Sequence, residues 1–196
     1  MTVAAILLAA GQSRRMGICK QLLPLGESTV IGRCLGLLLE GGVTDITVVV
    51  SPGGEAVAAE AKRLPVRVVI NQEPGGDMAS SIRTGRDVLT ADASSVMIAL
   101  CDCPLVLPAT IRLLRDTAVN SPDRIIIPTC AGRRGHPLIF PRSILDELTH
   151  GQILRDVVRR DPSLVIDLPV DDPGVLMDMD TPDDYRRVQQ LTSHTM

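Results

Sequence analysis

A chain of 196 residues, of which 45% are hydrophobic, can bury a full core, and we predict one domain spanning residues 1–196. Because tryptophan is absent and phenylalanine and tyrosine occur once each, this core must be aliphatic, and the aromatic platforms on which single-stranded nucleic acids stack are missing. The formal net charge of −3 gives none of the basic surface that is typical of DNA- and RNA-binding proteins. Nucleic acid is therefore not an expected partner, and any positive charge that matters for binding must be local.

The cysteines and the amino terminus predict the cellular compartment. The five cysteines are an odd number at scattered positions, and no basic segment precedes a long apolar stretch as it does in a signal peptide. We therefore expect a cytoplasmic protein with reduced thiols and no membrane partner. Cys101 and Cys103 are separated by one residue rather than by the two that are typical of zinc sites and redox motifs, so neither chemistry is expected.

The first element is an apolar run that opens into a basic loop. Residues 3–8 are long enough for one buried strand and too short to span a membrane. The small residues 9–11 let backbone N–H groups approach a ligand, and Arg14, Arg15 and Lys20 then add positive charge. This order predicts a phosphate cradle, and a solvated basic loop is the alternative. Neither a Walker A nor a Gly-x-Gly-x-x-Gly string occurs, which argues against ATPase and NAD-dependent dehydrogenase functions.

Strand and helix patterns alternate along the rest of the chain. We predict strands over residues 46–50, 66–70, 96–100, 125–127 and 164–168, and a hairpin or long turn over residues 130–135. The first helix is predicted between an N-cap at Ser28 or Thr29 and a stop at Gly41. Further helices are predicted over residues 55–63, 78–89, 142–149 and 152–160, and others begin at Pro108 and, after an N-cap at Thr181, at Pro182.

This alternation predicts the fold class and the position of the ligand. Strands that alternate with helices at such spacing form an α/β three-layer sandwich with a mostly parallel sheet. Ligands of such sheets bind beyond the carboxyl ends of the strands. Residues 9–20, 71–81 and 101–105 each follow a predicted strand at that end. The three loops are therefore expected to share one edge of the sheet.

Two acidic positions are candidates for metal binding. Asp102 follows an apolar strand, where its carboxylate can hold Mg²⁺ between the protein and a nucleotide. In an extended segment, Asp178 and Asp180 point to the same side. Taken separately, Asp102 can simply cap a turn and one of the other two can cap the helix that follows. Two acidic strand ends that face one basic loop favour the metal site.

Residues 71–81 and His136 are candidates for contacts with the substrates. Gly76, Ser80 and Ser81 stand at the start of a predicted helix, where hydroxyls and first-turn amides suit a nucleotide base, although an ordinary capped helix start explains them equally well. His136 follows a turn that contains Arg133 and Arg134, and it can contact a second, anionic substrate. No Ser-His-Asp or Cys-His order is evident, so covalent catalysis has no support.

These motifs together resemble a known family. The string LAAGQSRRMGICKQLLP over residues 8–24 is similar to the signature of the molybdenum cofactor cytidylyltransferases, which belong to the MobA-like NTP-transferase group with the molybdopterin guanylyltransferases. The likeness continues in the same order through GDMASSIRTG from Gly76, DCPLV from Asp102, GHPLIF from Gly135 and DMDTPDD from Asp178. It covers nearly the whole chain.

The resemblance implies a Rossmann-like nucleotidyltransferase fold, of the nucleotide-diphospho-sugar transferase type, with Mg²⁺ as cofactor. Asp102 and Asp180 would bind the metal, His136 would lie on the pterin side, and Arg15, Lys20 and Asp102 would be catalytic. The implied nucleotide-binding residues are Leu8, Ala9, Ala10, Gly11, Arg15, Lys20, Gly76, Ser80, Ser81 and Asp102. Ala10, in place of a second glycine, resembles the branch that uses CTP more than the branch that uses GTP.

The implied reaction transfers CMP from CTP to the terminal phosphate of molybdopterin or molybdenum cofactor and releases pyrophosphate. A molybdoenzyme or its chaperone is then a transient partner. Alternatives within enzymes are a guanylyltransferase that uses GTP and a nucleotidyltransferase that acts on another phosphorylated acceptor, such as a sugar phosphate or a phospholactate-like acid. A non-catalytic chaperone that binds molybdenum cofactor is an alternative from a different class, although pure binding would not need two acids beside a basic loop.

Overall fold

Strands and helices alternate along the chain in the computed structural model, which describes residues 2–11, 16–73, 75–148 and 154–193. The strands are β1 (Thr2–Leu8), β2 (Pro24–Leu25), β3 (Ser28–Thr29), β4 (Ile46–Val50), β5 (Arg67–Ile70), β6 (Ala93–Leu100), β7 (Ile125–Cys130), β8 (Arg133–Arg134), β9 (Leu138–Pro141) and β10 (Val165–Pro169). The helices are α1 (Val30–Glu40), α2 (Glu55–Ala61), α3 (Met78–Arg86), α4 (Pro108–Asn120), α5 (Arg142–Asp146), α6 (Leu154–Arg160) and α7 (Pro182–Ser193). Short 3-10 turns lie at Lys20–Leu22, Pro162–Leu164 and Pro173–Leu176.

The main sheet is mostly parallel, as predicted. Its strand order is β10-β7-β9-β6-β1-β4-β5, and β8 pairs with β7 as a short hairpin. Strand β1 is parallel to both β4 and β6, and β5 is parallel to β4. Within this sheet, β9 runs antiparallel to both of its neighbours, β6 and β7. The loops that follow β1, β5 and β6 therefore leave the same edge of the sheet.

Helices cover both faces of this sheet, which confirms the three-layer sandwich. Successive side chains of β1 point to opposite faces, so Ala5 and Leu7 belong to one buried cluster, whereas Ala4 and Ile6 belong to the other. On the second face α3 packs closely, because a Cβ atom on Gly85 would lie 2.7 Å from a methyl group of Ile6. None of the described helices is both long enough and apolar enough to cross a bilayer.

The ends of the helices follow local signals, with some differences from the predicted bounds. Thr29 caps α1 by accepting a hydrogen bond from the Gly32 amide, as predicted. Helix α2 ends at Ala61 rather than at residue 63, because Pro65 disfavours helical backbone in the residue before it and the last turn tightens. Similarly, α3 ends at Arg86 and continues only as turns to residue 89. Helix α5 ends at Asp146, and residues 149–153, where its predicted end and the predicted start of α6 fall, lie outside the described residues.

Candidate active site

Two neighbouring parallel strands bring the first loop and the Asp102 loop together. Leu8 at the end of β1 pairs with Leu100 at the end of β6. The pairing continues one step further, because the Cys101 amide donates to the Leu8 carbonyl at 3.2 Å. Asp102 therefore begins its loop beside Ala9. The small-residue loop and the first acidic position thus lie side by side because of the strand order.

The ammonium group of Lys20 lies between the two acidic positions. Its Nζ donates to Asp102 Oδ2 at 2.8 Å, to Asp180 Oδ1 at 3.0 Å and to the Met179 carbonyl oxygen at 3.0 Å. Lys20 is only 8% exposed although it carries a charge. Three chain segments that are far apart in sequence therefore converge on one cation.

These carboxylates hold Lys20 in its charged form. Burial acts to lower the pKa of Lys20, whereas the hydrogen bonds and the attraction of Asp102 and Asp180 raise it, and the pKa ends above its ordinary value. A buried ammonium with two carboxylate partners is thus electrostatically compensated. The same arrangement shows that two carboxylate oxygens can share a single positive charge at this position.

The donor set fits a magnesium ion that also binds substrate phosphates. Mg²⁺ prefers oxygen ligands and is usually held in proteins by one or two carboxylates together with phosphate oxygens and waters. Asp102 and Asp180 supply two such carboxylates. Within the described residues, no group of three or more His, Cys, Asp and Glu side chains could hold a metal by itself. The protein therefore offers a partial shell that a triphosphate would complete.

The segment that carries Asp180 is held against the Asp102 loop. The Met179 amide donates to the Asp102 carbonyl at 2.8 Å, and the Met179 side chain is fully buried. Asp180 is followed by the predicted cap of α7, in which Thr181 Oγ1 accepts from the Asp184 amide at 3.2 Å and the Asp184 carboxylate accepts from the Thr181 amide at 2.8 Å. Asp178, on the same segment, is exposed.

Gln21 fixes the small-residue loop, and sequence reasoning did not select it. Its Nε2 donates to the Ala9 carbonyl at 3.2 Å and to the Gly11 carbonyl at 2.9 Å, and the side chain is 2% exposed. Beside it lies a cavity of about 490 Å³ between this loop and the turn over residues 51–54. The only signal for Gln21 in the sequence is its position next to Lys20.

Ser80 and Ser81 point into a buried network. Both hydroxyls donate to the Asp77 carbonyl, at 2.9 and 3.1 Å, and both accept from Asn71 Nδ2, at 2.8 and 3.1 Å. A Cβ atom on Gly76 would lie 2.6 Å from that Asn71 nitrogen, so the loop admits no side chain there. Asp77 caps α3 through the Ser80 amide. These residues shape the loop after β5, and a direct contact with the base stays a prediction.

His136 lies at the mouth of a second cavity. This cavity of about 640 Å³ has apolar walls from α3, β9 and α6, and Arg134, Arg155 and Arg159 also line it. The His136 amide donates to the Val175 carbonyl at 2.8 Å, and its buried Nδ1 has no hydrogen-bond partner among the described residues. Burial lowers the pKa of His136, and the negative charges of Asp102 and Asp178 oppose this only in part.

Apart from His136 in the second cavity, the predicted site residues that the structure describes fall into three groups. Leu8 ends β1, and Ala9, Ala10 and Gly11 form the loop that follows it. Lys20, Asp102 and Asp180 meet in one ion cluster. Gly76, Ser80 and Ser81 build the loop that precedes α3. Arg15 lies outside the described residues, so its predicted contact with the triphosphate stays a prediction.

Comparison with protein families agrees with this arrangement. The model of the MobA-like NTP transferase domain matches residues 5–164, which include the second half of β1, the Lys20 turn and the Asp102 loop. The chain belongs to this MobA-like family. The match covers Lys20 and Asp102 and ends before Asp180.

Solved structures place this MobA-like chain among close structural relatives. It superposes on Rv0371c from Mycobacterium tuberculosis with a TM-score of 0.86 and 30% identity, covering 97% of this chain and 98% of that one. A manganese complex of Rv0371c superposes with a TM-score of 0.81. A nucleotidyl transferase from Methanothermobacter thermautotrophicus, Mth528, gives a TM-score of 0.87 at 25% identity, covering 100% and 99% of the two chains.

The curated proteins that are similar in sequence include an oxidoreductase and a bifunctional protein. Nicotine blue oxidoreductase from Paenarthrobacter nicotinovorans is 28% identical over 199 residues, which cover 95% of this chain and 96% of that protein. The bifunctional protein GlmU from Xanthobacter autotrophicus is 33% identical over 117 residues, which cover 58% of this chain and 26% of GlmU. The MobA-like chain thus spans only about a quarter of GlmU. The family match and the likeness to the nucleotidyl transferase Mth528 indicate a nucleotidyltransferase of the MobA-like type.

Replacing Gln21 by methionine is expected to weaken the binding of nucleoside triphosphate to this MobA-like enzyme. Methionine fills a similar volume but cannot donate to the Ala9 and Gly11 carbonyls, so the loop loses its fixed conformation. We expect the KM for the triphosphate to rise about tenfold, equivalent to about 1.4 kcal/mol, with little change in kcat. Gln189→Met, which removes a donor to Tyr185 on α7, is the matched control in steady-state kinetics. A kcat that falls while KM stays constant would contradict this role.

Acidification is expected to destabilise the folded protein through His136. Because the pKa of His136 is lowered in the folded state, the unfolded chain binds a proton at this residue at a higher pH than the folded chain does. The free energy of unfolding therefore falls as the pH drops below the ordinary value of 6.5, and this contribution is absent above about pH 7.5. Urea unfolding of the parent and of His136→Gln at several pH values measures it. An equal pH slope in both proteins would show that His136 is not responsible.

Proposed function

We propose that this protein is a Mg²⁺-dependent cytidylyltransferase that transfers CMP from CTP to the terminal phosphate of molybdopterin or molybdenum cofactor. The observation that carries the proposal is the convergence of Asp102, Asp180 and Lys20 beside the small-residue loop. Two acids from separate segments, the loop after β6 and the segment before α7, and one fixed cation are the charges that phosphoryl-type transfer needs. The motif resemblance of residues 8–24 supports molybdenum cofactor as the acceptor.

In the proposed reaction, an acceptor phosphate oxygen forms a bond to the α-phosphorus of the nucleotide, and the bond from that phosphorus to the bridging oxygen of pyrophosphate breaks. The amides of Ala10 and Gly11 bind the triphosphate, and Lys20 neutralises charge on the departing pyrophosphate. Asp102 and Asp180 would hold Mg²⁺, which supplies positive charge to the phosphate oxygens when it is bound. No covalent enzyme intermediate is needed, because positioning and charge neutralisation suffice.

The cavity beside His136 suits the acceptor. Its apolar walls fit a flat heterocycle, and its volume of about 640 Å³ lies in the range of small-molecule sites. Arg155 and Arg159 are four residues apart on α6, so both lie on the side that lines the cavity, where they attract an anionic group. Arg134 is already paired with Asp167 through two hydrogen bonds of 2.7 and 2.8 Å, so we assign the anion to the α6 pair.

The test is pyrophosphate release with each of the four nucleoside triphosphates, with and without molybdopterin, at several Mg²⁺ concentrations. We expect release that requires molybdopterin and Mg²⁺ and is fastest with CTP. Faster release with GTP would make the protein a guanylyltransferase, and release with a sugar phosphate or phospholactate-like acid in place of molybdopterin would reassign the acceptor. Mg²⁺-independent nucleotide binding without any pyrophosphate would favour the molybdenum cofactor chaperone.

The similarity to nicotine blue oxidoreductase supports a second candidate function. That match covers almost the full length of both proteins, which suits a shared activity as well as a shared fold. Incubation of the protein with nicotine blue and an added reductant, followed by visible absorbance, tests it directly. The absence of a Gly-x-Gly-x-x-Gly string and the presence of the two acids around Lys20 favour nucleotidyl transfer as the first candidate.

A further inference from the structure

We propose that Asp172 is a positioning residue that sets the separation of Asp102 and Asp180. Asp172 is outside the cluster around Lys20 and matches none of the family motifs, yet it is 2% exposed and makes three hydrogen bonds. This inference rests on the proposed function, because it takes Asp102 and Asp180 as the residues that would hold the metal. Asp172 acts through the 3-10 turn Pro173–Leu176. This turn contacts the loop that carries Asp102 and the loop that carries His136.

The carboxylate of Asp172 joins this turn to the start of α4. Its Oδ1 accepts from the Gly174 amide at 2.9 Å, which caps its own turn. Its Oδ2 accepts from the Leu107 amide at 2.9 Å and from Thr110 Oγ1 at 2.7 Å. Helix α4 follows directly on the Asp102 loop and has no side-chain cap of its own from Leu107. Asp172 therefore supplies that cap from 65 residues away in sequence.

The turn itself is packed against two loops of the site. A Cβ atom on Gly174 would lie 2.2 Å from the Leu105 carbonyl oxygen, and one on Gly135 would lie 2.2 Å from the Val175 carbonyl oxygen. The same Val175 oxygen accepts from the His136 amide. Four residues later the Met179 amide bonds the Asp102 carbonyl, immediately before Asp180. The turn thus fixes the Asp102 loop, the His136 loop and the Asp180 segment relative to one another.

A second turn in the chain provides a matched control. Asp161 also precedes a proline and caps a 3-10 turn, with nearly the same backbone angles: φ −140° and ψ 90° at Asp161, against φ −141° and ψ 95° at Asp172. Among the described residues, the Asp161 carboxylate accepts only from the Ser163 amide and hydroxyl, two residues on, and Asp161 is exposed. The two aspartates therefore share the local role, and Asp172 alone of the two joins its turn to another segment of the site.

The experiment compares Asp172→Asn with Asp161→Asn. Asparagine replaces one of the two accepting oxygens by an NH₂ group, which itself donates. At least one of the three hydrogen bonds that Asp172 accepts is therefore lost, and the junction with α4 weakens. We expect Asp172→Asn to speed hydrogen exchange in the peptide that contains Met179 and to weaken Mn²⁺ binding, followed by the electron paramagnetic resonance of the free ion, by roughly 10–100-fold. The kcat should fall by a similar factor at low Mn²⁺ and recover at saturating Mn²⁺. Asp161→Asn should leave all three measurements unchanged.

A purely structural role for Asp172 would give a different result. If Asp172→Asn lowers the melting temperature but leaves Mn²⁺ binding and Met179 exchange as in the parent, the proposal is wrong. Thr110→Val removes a single hydrogen bond from the same junction and replaces Asp172→Asn if that variant does not fold. It should show smaller increases in Met179 exchange and smaller losses of Mn²⁺ affinity. The exchange and Mn²⁺ measurements need no turnover. Absence of pyrophosphate release in the parent would therefore contradict the proposed function, and these two measurements would still decide the role of Asp172.

Discussion

Replacing Lys20 by methionine is expected to abolish nucleotidyl transfer and, at the same time, to tighten the binding of Mn²⁺ to the nucleotide-free protein. The Lys20 ammonium compensates Asp102 and Asp180 in the structure, so a divalent cation must compete with it for the same oxygens. Without the ammonium, Asp102 and Asp180 lose a cation that contacts both of them, so their oxygens attract a divalent cation more strongly. The charge that Lys20 offers to the departing pyrophosphate is also lost, which typically costs on the order of 10²–10³ in rate.

Pyrophosphate release and Mn²⁺ titration measure these two effects on Lys20→Met. Lys62→Met is the control, since Lys62 is the only other lysine in the sequence and lies exposed at the end of α2. It should match the parent in both assays. Weaker Mn²⁺ binding in Lys20→Met would show that the lysine helps to build the metal site rather than competing for it, and near-normal turnover would remove Lys20 from the catalytic residues.

Replacing Asp102 by asparagine is expected to abolish transfer and to weaken Mn²⁺ binding. Asp102 is the less exposed of the two carboxylates around Lys20, with a side chain 24% exposed against 40% for Asp180. Its loss removes a charged metal ligand, and we expect kcat to fall by on the order of 10²–10³. The fold should persist, because the Asp102 carbonyl still accepts from the Met179 amide.

The opposite effects on Mn²⁺ distinguish Asp102→Asn from Lys20→Met, although both variants are expected to lose turnover. Asp116→Asn is the control, because Asp116 is an exposed carboxylate that pairs with Arg115 on α4. Circular dichroism and thermal unfolding should show a folded Asp102→Asn protein. Retained Mn²⁺ affinity in that variant would mean that the metal binds elsewhere, and the proposed mechanism would fail.

The fold was predictable because its signals are local. The apolar run of β1, the cap at Thr29 and the start of α7 at Pro182 each depend on residues within a few positions of one another. The parallel sheet followed from their alternation. The bounds that differed depend on finer effects, such as the restriction that Pro65 places on the end of α2.

The candidate site was predictable only in part, because several of its contacts join distant segments. Motif order pointed to Asp102, Asp180 and Lys20, but it did not predict that the lysine ammonium pairs with both acids. Gln21 and Asp172 act through side-chain hydrogen bonds to backbone groups, and no local pattern reports which backbone group will be nearby. Such roles need the three-dimensional structure.

The close approach of α3 to the sheet at Gly85 limits how this helix can be redesigned. Any side chain at this position would push the helix away from Ile6 and Val49, so the height of α3 is determined on its apolar side, beyond its first turn. Position 85 is therefore closed to any residue with a Cβ atom unless α3 or the two strands shift. This makes it a fixed reference point in any redesign of the helix.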